Sequence, residues 1–181
     1  FVILEGRDNI GGTWDLFNYP GIRSDSDMHT LGYRFKPWIH DKSIADGSSI
    51  LDYLKETIAE NDLMKNILLK NKVSSANWSS ERSLWELEIY EGSLHKKMTC
   101  NFLFLCGGYY SYTKPHMPHF KNQENFQGQI IHPQFWNKSI DYENKKIAVI
   151  GSGATAITIV PEIAKKAEHV VMIQRSPTYV V

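Results

Sequence analysis

The chain has 181 residues, 20 Lys and Arg against 20 Asp and Glu, 42% hydrophobic residues and two cysteines. That length holds one ordinary domain or two small ones with enough apolar material for a core, which argues against a disordered chain. A formal charge of zero argues against a nucleic-acid surface built on excess positive charge, so bound phosphates would have to be met by local devices.

The longest apolar runs, at 102–106 and 147–150, fall far short of the roughly 20 residues of a membrane-spanning helix, and no transmembrane span is expected. Phe1-Val2-Ile3-Leu4-Glu5 has no basic n-region and no small-residue cleavage site, so it reads as a strand rather than a secretory signal. Two cysteines make no disulfide framework, and a reducing, cytoplasmic compartment is the expectation.

In chain order, residues 1–5 read as a short buried strand ending in an acid. The next thirty residues carry Gly, Pro, Asn, Asp and Ser at turn-forming density, and loops of that length are usually functional. Ser49 with Asp52 resembles a capping box, and Ile50, Leu51, Leu54 and Ile58 follow helical spacing to about Glu60. Trp85, Leu87 and Ile89 alternate with Glu86, Glu88 and Tyr90, which predicts a half-buried strand, and Glu91-Gly92 supplies a hairpin turn. Residues 102–106, followed by Gly107-Gly108, predict a fully buried strand. A Pro-punctuated connector spans 109–145, and the last 36 residues read as strand, Gly-rich turn, helix and strand.

That last stretch carries the sharpest chemistry. A buried strand over 146–150 leads into Gly151-Ser152-Gly153-Ala154-Thr155-Ala156, which satisfies G-x-G-x-x-A. Ile157, Ile159, Val160 and Ile163 continue as a helix, and a second strand follows from His169. Gly151 permits the tight turn, Gly153 lets a pyrophosphate approach the backbone, and Ala156 allows close helix-to-strand packing, with the helix N-terminus facing the anion. At the end of the second strand NAD-selective sites place an acid for the ribose hydroxyls. Here stand Arg175 and Ser176, a cation and a hydroxyl suited to a 2′-phosphate, so NADP (NADPH) is expected in preference to NAD. The alternative is a solvated Arg at a strand end.

Glu5 closes the first strand where such folds put the ribose-binding acid. Taken alone, a strand-terminal Glu is more often a surface charge. The following residues change its weight: Gly11-Gly12-Thr13-Trp14-Asp15-Leu16, then Tyr19-Pro20-Gly21-Ile22-Arg23-Ser24-Asp25-Ser26. Phe126, Gly128, His132 and Trp136 then form F-x-G-x-x-x-H-x-x-x-W, with Asn137 where Pro or Asp is usual. On these three motifs the chain resembles the flavin-containing monooxygenases, in particular the Baeyer-Villiger-type branch.

The resemblance implies an α/β fold of two dinucleotide-binding (Rossmann-like) domains, both incomplete. Residues 1–125 would be an FAD-binding domain lacking its first strand and Gly-rich turn, with a β-hairpin or meander insertion. Residues 126–181 would be the N-terminal part of the NADP-binding domain. Glu5 would bind the FAD ribose, with Gly11, Gly12, Thr13, Trp14, Asp15 and Leu16 along the flavin and its phosphates. Asp25 would lie at the isoalloxazine edge as the catalytic candidate, orienting an Arg that lies outside these residues. Arg23, Ser24 and Asp25 would also face the nicotinamide. Val73 would offer backbone hydrogen bonds to adenine, and Gly107 stands where relatives usually have a hydroxyl residue.

His132 has three open readings: a general base, a linker residue coupling two domains, or a hydrogen-bonded structural histidine. The remaining histidines have no ligand spacing with Cys or carboxylates, so no metal site is proposed. Trp38 is expected in a core.

In the chemistry the resemblance implies, NADPH reduces FAD. O2 then adds to the reduced flavin as a peroxide, which oxygenates a ketone or a soft heteroatom of a small-molecule substrate. On this reading the chain is a fragment that is inactive in isolation. Two competitors are a disulfide-type FAD/NADP oxidoreductase, for which Cys100 and Cys106 are poorly spaced, and an NADP-binding remnant without activity.

Overall fold

The computed structural model describes residues 1–137 and 139–179. They fall into two compact units that are discontinuous in sequence, Phe1–Asp15 with Tyr53–Ser111, and Leu16–Asp52 with residues from Tyr112 onward. Their elements are mixed α/β.

In the first unit, β1 (Ile3–Leu4) pairs in parallel with β2 (Ile67–Leu68), Ile3 opposite Ile67 and Leu4 opposite Leu68. The backbone of Glu5 continues the pairing, its N–H donating to the Leu68 carbonyl at 3.0 Å and its carbonyl accepting from Asn71 at 2.9 Å. β3 (Asn71–Ser79), β4 (Leu84–Glu91) and β5 (Leu94–Cys100) then form an antiparallel meander in the order β3-β4-β5. The predicted alternation in β4 holds, with Leu87 and Ile89 buried while Tyr90 is exposed. Gly92 makes the β4–β5 turn at φ +59°, a left-handed conformation that favours glycine. Trp78 and Trp85 are registered partners across β3 and β4 and meet edge to face at 5.6 Å, a cross-strand aromatic pair that fastens the other end of the β3–β4 hairpin.

One expectation fails here. Residues 102–106 form no strand, and Phe102 and Leu105 are 84% and 85% exposed. A strand buried on both faces needs ladder partners and covering layers. Among the described residues the only parallel pair in this unit is the two-residue β1–β2 ladder, and this segment does not join it.

The helix α3 (Gly47–Glu60) starts two residues before the predicted Ser49. Its first turn is closed on the Asp46 carbonyl, which accepts the Ile50 N–H at 3.2 Å, so Asp46 holds the cap position instead of Ser49. Ile50, Tyr53 and Thr57, spaced three and four apart, form its buried face. The Thr57 hydroxyl is satisfied there by the Tyr53 carbonyl at 2.7 Å.

In the second unit, β6 (Lys146–Ile150) and β7 (His169–Ile173) pair in parallel, joined by α4 (Ala154–Ile163). Both strands alternate strictly in burial, so each has one covered and one open face instead of the full burial expected of 146–150. Ile147, Val149 and Val170 pack on Ile159 and Ile163 of α4, and Phe17 and Tyr19 complete that cluster. Two short helices interrupt the expected loop, α1 (Thr13–Leu16), whose first three residues belong to the first unit, and α2 (Met28–Leu31) in the second. Asp27 caps α2, accepting from the His29 N–H at 2.9 Å and the Thr30 hydroxyl at 2.7 Å. Trp38 is buried as expected and donates its indole N–H to the Lys42 carbonyl at 2.9 Å.

Ile89 is 1% exposed at the centre of the meander. Ile89→Ala is expected to destabilise the protein by about 2–5 kcal/mol, read as a lowered urea midpoint, whereas Leu94→Ala at an exposed position should cost under about 0.5 kcal/mol.

Candidate functional site

The first candidate site lies in the loop that leaves β1. Gly11 and Gly12 take φ +107° and +50° in succession, which reverses the chain so that the Trp14 N–H reaches the Gly11 carbonyl at 3.0 Å and α1 begins. The loop is tied by a residue that the sequence reading passed over. Arg7 donates to the Gly12 carbonyl at 3.1 Å and to Asp15 Oδ2 at 2.7 Å, while its own N–H donates to Glu5 Oε1 at 2.8 Å. Gly12 and Asp15 are thus gathered on one half-buried guanidinium, and Glu5 on the backbone N–H of the same residue. Nothing in the local spacing signals this, because Arg7 and Asp15 meet only after the two glycines turn the chain. Trp14 and Leu16 are half-buried on α1.

Arg23, Ser24 and Asp25 follow one another from a β-bridge into a bend at Asp25. Arg23 bridges antiparallel to Asp46, and Arg23 and Asp25 are exposed while Ser24 between them is buried. Ser24 is 1% exposed, its N–H donating to the Ala45 carbonyl at 2.8 Å and its Oγ accepting the Ala45 N–H at 3.0 Å. Its side chain is committed to holding the loop, while Arg23 and Asp25 are open. Val73 lies on β3 opposite Ile89, beside a bulge between Val73 and Ser75, and is part-exposed.

The second Gly-rich turn sits between β6 and α4. Gly151 takes φ +127° and its N–H donates to the Ile173 carbonyl at 2.8 Å, so the turn leaves the sheet at the strand end. Gly153 is the N-cap residue of α4 with no side-chain cap, and a Cβ built on Gly151 or Gly153 would meet no atom within 4 Å. That open space is where an anion can approach backbone N–H groups that α4 leaves unpaired. Ala156 is buried, Ala154 is exposed, and Thr155 half-buried. The Ser152 hydroxyl donates to the Ser176 carbonyl at 3.3 Å and accepts from Thr178 at 2.9 Å. It therefore ties the turn to the segment carrying Arg175 and Ser176, both exposed.

The F-x-G-x-x-x-H-x-x-x-W motif has a packing logic. The Phe126 ring folds over Gly128, where a Cβ would lie 2.4 Å from its Cζ. His132 Nδ1 accepts the Gln134 N–H at 3.2 Å and caps the 3₁₀ turn Pro133–Phe135. Trp136 stacks edge to face on Tyr142 at 5.8 Å and packs against the Phe17, Tyr19, Ile159 and Ile163 cluster. Asn137 Oδ1 accepts the Ser139 N–H at 2.9 Å, the turn that an Asp at this position would also make. Of the three readings of His132, this geometry supports the structural one.

Cys100 and Cys106 are free thiols, the first half-buried at the end of β5 and the second exposed. Among the described residues no three His, Cys, Asp or Glu side chains come together as a metal site, and no helix is long and apolar enough to cross a membrane.

A strand, glycine turn, helix and parallel strand, together with an antiparallel three-stranded meander, define a mixed α/β protein. Residues 36–181 match the family of flavin-binding monooxygenase-like proteins, and the chain belongs to that family. It is 53% identical over 182 residues to the FAD-containing monooxygenase EthA of Mycobacterium tuberculosis, covering 100% of this chain and 37% of that protein. It is 54% identical over 183 residues to a probable FAD-binding monooxygenase AlmA of Acinetobacter baylyi, covering 99% of this chain and 36% of that one. Among solved structures, an oxidized steroid monooxygenase bound to NADP matches at TM-score 0.81 and 29% identity over 98% of this chain and 34% of that one. Cyclohexanone monooxygenase from Rhodococcus sp. Phi1, bound to NADP+, matches at TM-score 0.78 and 25% identity, again over 98% and 34%. The chain thus spans little more than a third of the length of these relatives.

Burial, then the neighbouring His116, holds the His132 pKa below the ordinary imidazole value. The unfolded chain then binds the proton more readily than the folded one, so stability rises with pH through this window. Its contribution is complete above about pH 6.5 and declines as pH falls through the lower folded value. His132→Asn keeps an acceptor for the Gln134 N–H, so its urea midpoint is expected to lose this part of the decline between pH 7.5 and 5.5 while matching the parent at pH 7.5.

Proposed function

We propose that this chain is part of an FAD- and NADPH-dependent monooxygenase that, with O2, oxygenates a ketone or a soft sulfur or nitrogen centre of a small-molecule substrate. The observation that carries the reading is the Gly151–Gly153 turn. It combines a left-handed glycine, a helix start without a side-chain cap, open space where a Cβ would stand, and Arg175 following β7. The relatives described as FAD-containing monooxygenases and the structures bound to NADP support it.

The residues fit both nucleotides. For NADP, Gly151, Ser152, Gly153, Ala154 and Thr155 would face the diphosphate, Ala156 keeps α4 close to the strands, and Arg175 with Ser176 would take the 2′-phosphate. For FAD, Glu5 would take the ribose, and the loop from Gly11 to Leu16, held by Arg7, would line the dinucleotide, with the Val73 backbone at adenine. The bound cofactors supply hydride and oxygen chemistry, and the protein's part is to bind, orient and exclude water. Arg23 and Asp25, the two outward side chains of their stretch, would meet the nicotinamide and the flavin edge. Asp25 would orient a cation from beyond this chain. The domain reading follows the cofactors, with an incomplete FAD-binding domain over 1–125 and the first part of an NADP-binding domain over 126–181. Two free thiols, one exposed, favour this reading over a disulfide oxidoreductase and fit a reducing cytoplasm.

Because the chain spans only 37% of EthA, we expect no oxygenation by the 181 residues alone. Anaerobic titration with FAD and NADPH is the test. NADPH binding without flavin bleaching is expected; tight flavin binding with NADPH-dependent bleaching defeats the claim of inactivity, and no binding of either nucleotide defeats the dinucleotide reading.

Gly153→Ala separates binding from folding, since the added methyl meets no atom within 4 Å and Gly153 lies at φ −76°. The variant is expected to melt within a few degrees of the parent, yet to bind NADPH about tenfold or more weakly, because the methyl occupies the pyrophosphate's approach. Arg175→Ala should weaken NADPH by about tenfold while leaving NADH unchanged, as measured by calorimetry.

A further inference from the structure

Residues 17–25 and the helix α4 are at least 129 positions apart in sequence, from 25 to 154, yet they are built as one piece. Phe17 and Tyr19 are buried in a cluster with Ile159 and Ile163 of α4. The chain then turns, the Ile22 N–H donating to the Tyr19 carbonyl at 3.3 Å. At that turn Gly21 lies directly on the helix. A Cβ at Gly21 would stand 2.5 Å from the Thr158 carbonyl oxygen and 2.5 Å from Glu162 Cγ, and Gly21 has φ +80°. The Glu162 side chain can swing aside; the Thr158 carbonyl is helix backbone and cannot. Beyond the turn, the Ile22 carbonyl accepts the Gly47 N–H at 2.9 Å, and Ser24 is clamped to Ala45 through both its N–H and its Oγ.

We infer that Gly21 is a positioning residue whose missing side chain seats the Arg23–Asp25 stretch on α4, so that this stretch and the helix of the Gly151–Gly153 turn open and close as one cooperative unit. The inference deepens the nucleotide reading above and rests on it for its consequence. A dinucleotide that stabilises the start of α4 also stabilises the stretch bearing Arg23 and Asp25 through the contact of Gly21 with Thr158, over and above any contact the nicotinamide itself makes with Arg23 and Asp25. The seat itself is a property of the packing and does not require a ligand.

Native-state hydrogen exchange tests both halves. In the unmodified chain the amides of Ile22, Ser24 and Gly47 are expected to share one denaturant dependence with those of Ile157 and Ala164 in and beside α4, as members of one opening unit do. Separate dependences would overturn the inference without any variant. In Gly21→Ala, exchange at Ile22, Ser24 and Gly47 is expected to rise by about tenfold or more, with the amides of β4 unchanged. Gly21→Asn tolerates the positive φ but still brings a Cβ, and should behave like Gly21→Ala. Parent-like exchange in either variant overturns the close approach as the cause. Added NADPH should protect Ile22 and Ser24 in the parent and fail to do so in Gly21→Ala. NADPH that binds without protecting them overturns the coupling. NADPH that does not bind the parent defeats the nucleotide reading instead, and the seat is then decided by the denaturant dependence alone.

Discussion

The contact of residues 17–22 with α4 is the interaction on which the second unit depends. Among the described residues the β6–β7 pair has one open face and two strands, so α4 and the segment from Phe17 to Tyr19 supply the rest of its core. A two-stranded sheet is marginal by itself and needs such a layer. The close approach at Gly21 brings the backbones near enough for Phe17 and Tyr19 to reach Ile159 and Ile163. Trp136 joins the same cluster from the connector, so the last residue of the F-x-G-x-x-x-H-x-x-x-W motif, Tyr19 at the Tyr-Pro-Gly turn and the helix that follows the Gly-rich turn share one set of apolar contacts.

The first unit is organised around a charge. Arg7 holds Glu5 through its backbone and Gly12 and Asp15 through its guanidinium, at half-buried positions where removing one partner would leave the other poorly solvated. The consequence is a loop whose two glycines bend the chain and whose one arginine keeps it bent. The meander beside it is ordinary β-sheet chemistry, with Leu87 and Ile89 inside and cross-strand ion pairs such as Lys97 to Glu88 outside.

Much of this was legible one residue at a time. Period-two alternation located β4, period 3.6 located α3 and α4, and glycine spacing located both turns, because each follows from backbone geometry over a few residues. Residues 102–106 misled for the same reason. An apolar run states what a segment needs to bury, and it cannot state whether a neighbour is present to bury it. Asp46, too, displaced Ser49 as the cap only because the 22–24 stretch fixes where the chain enters α3.

By itself, then, the sequence determined the local elements, the two glycine turns, the cation after β7 and, through three ordered motifs, the flavin-binding monooxygenase-like family. Tertiary structure decided what those residues touch. It made Arg7 the tie of the first loop, turned Ser24 inward and left Arg23 and Asp25 outward, gave His132 a capping bond, and placed Gly21 against Thr158. Apart from the His132 cap, which is local, each of these joins groups that are adjacent only once the chain has folded back. Spacing along the chain carries short-range backbone preference, whereas close packing and paired charge are properties of the assembled core.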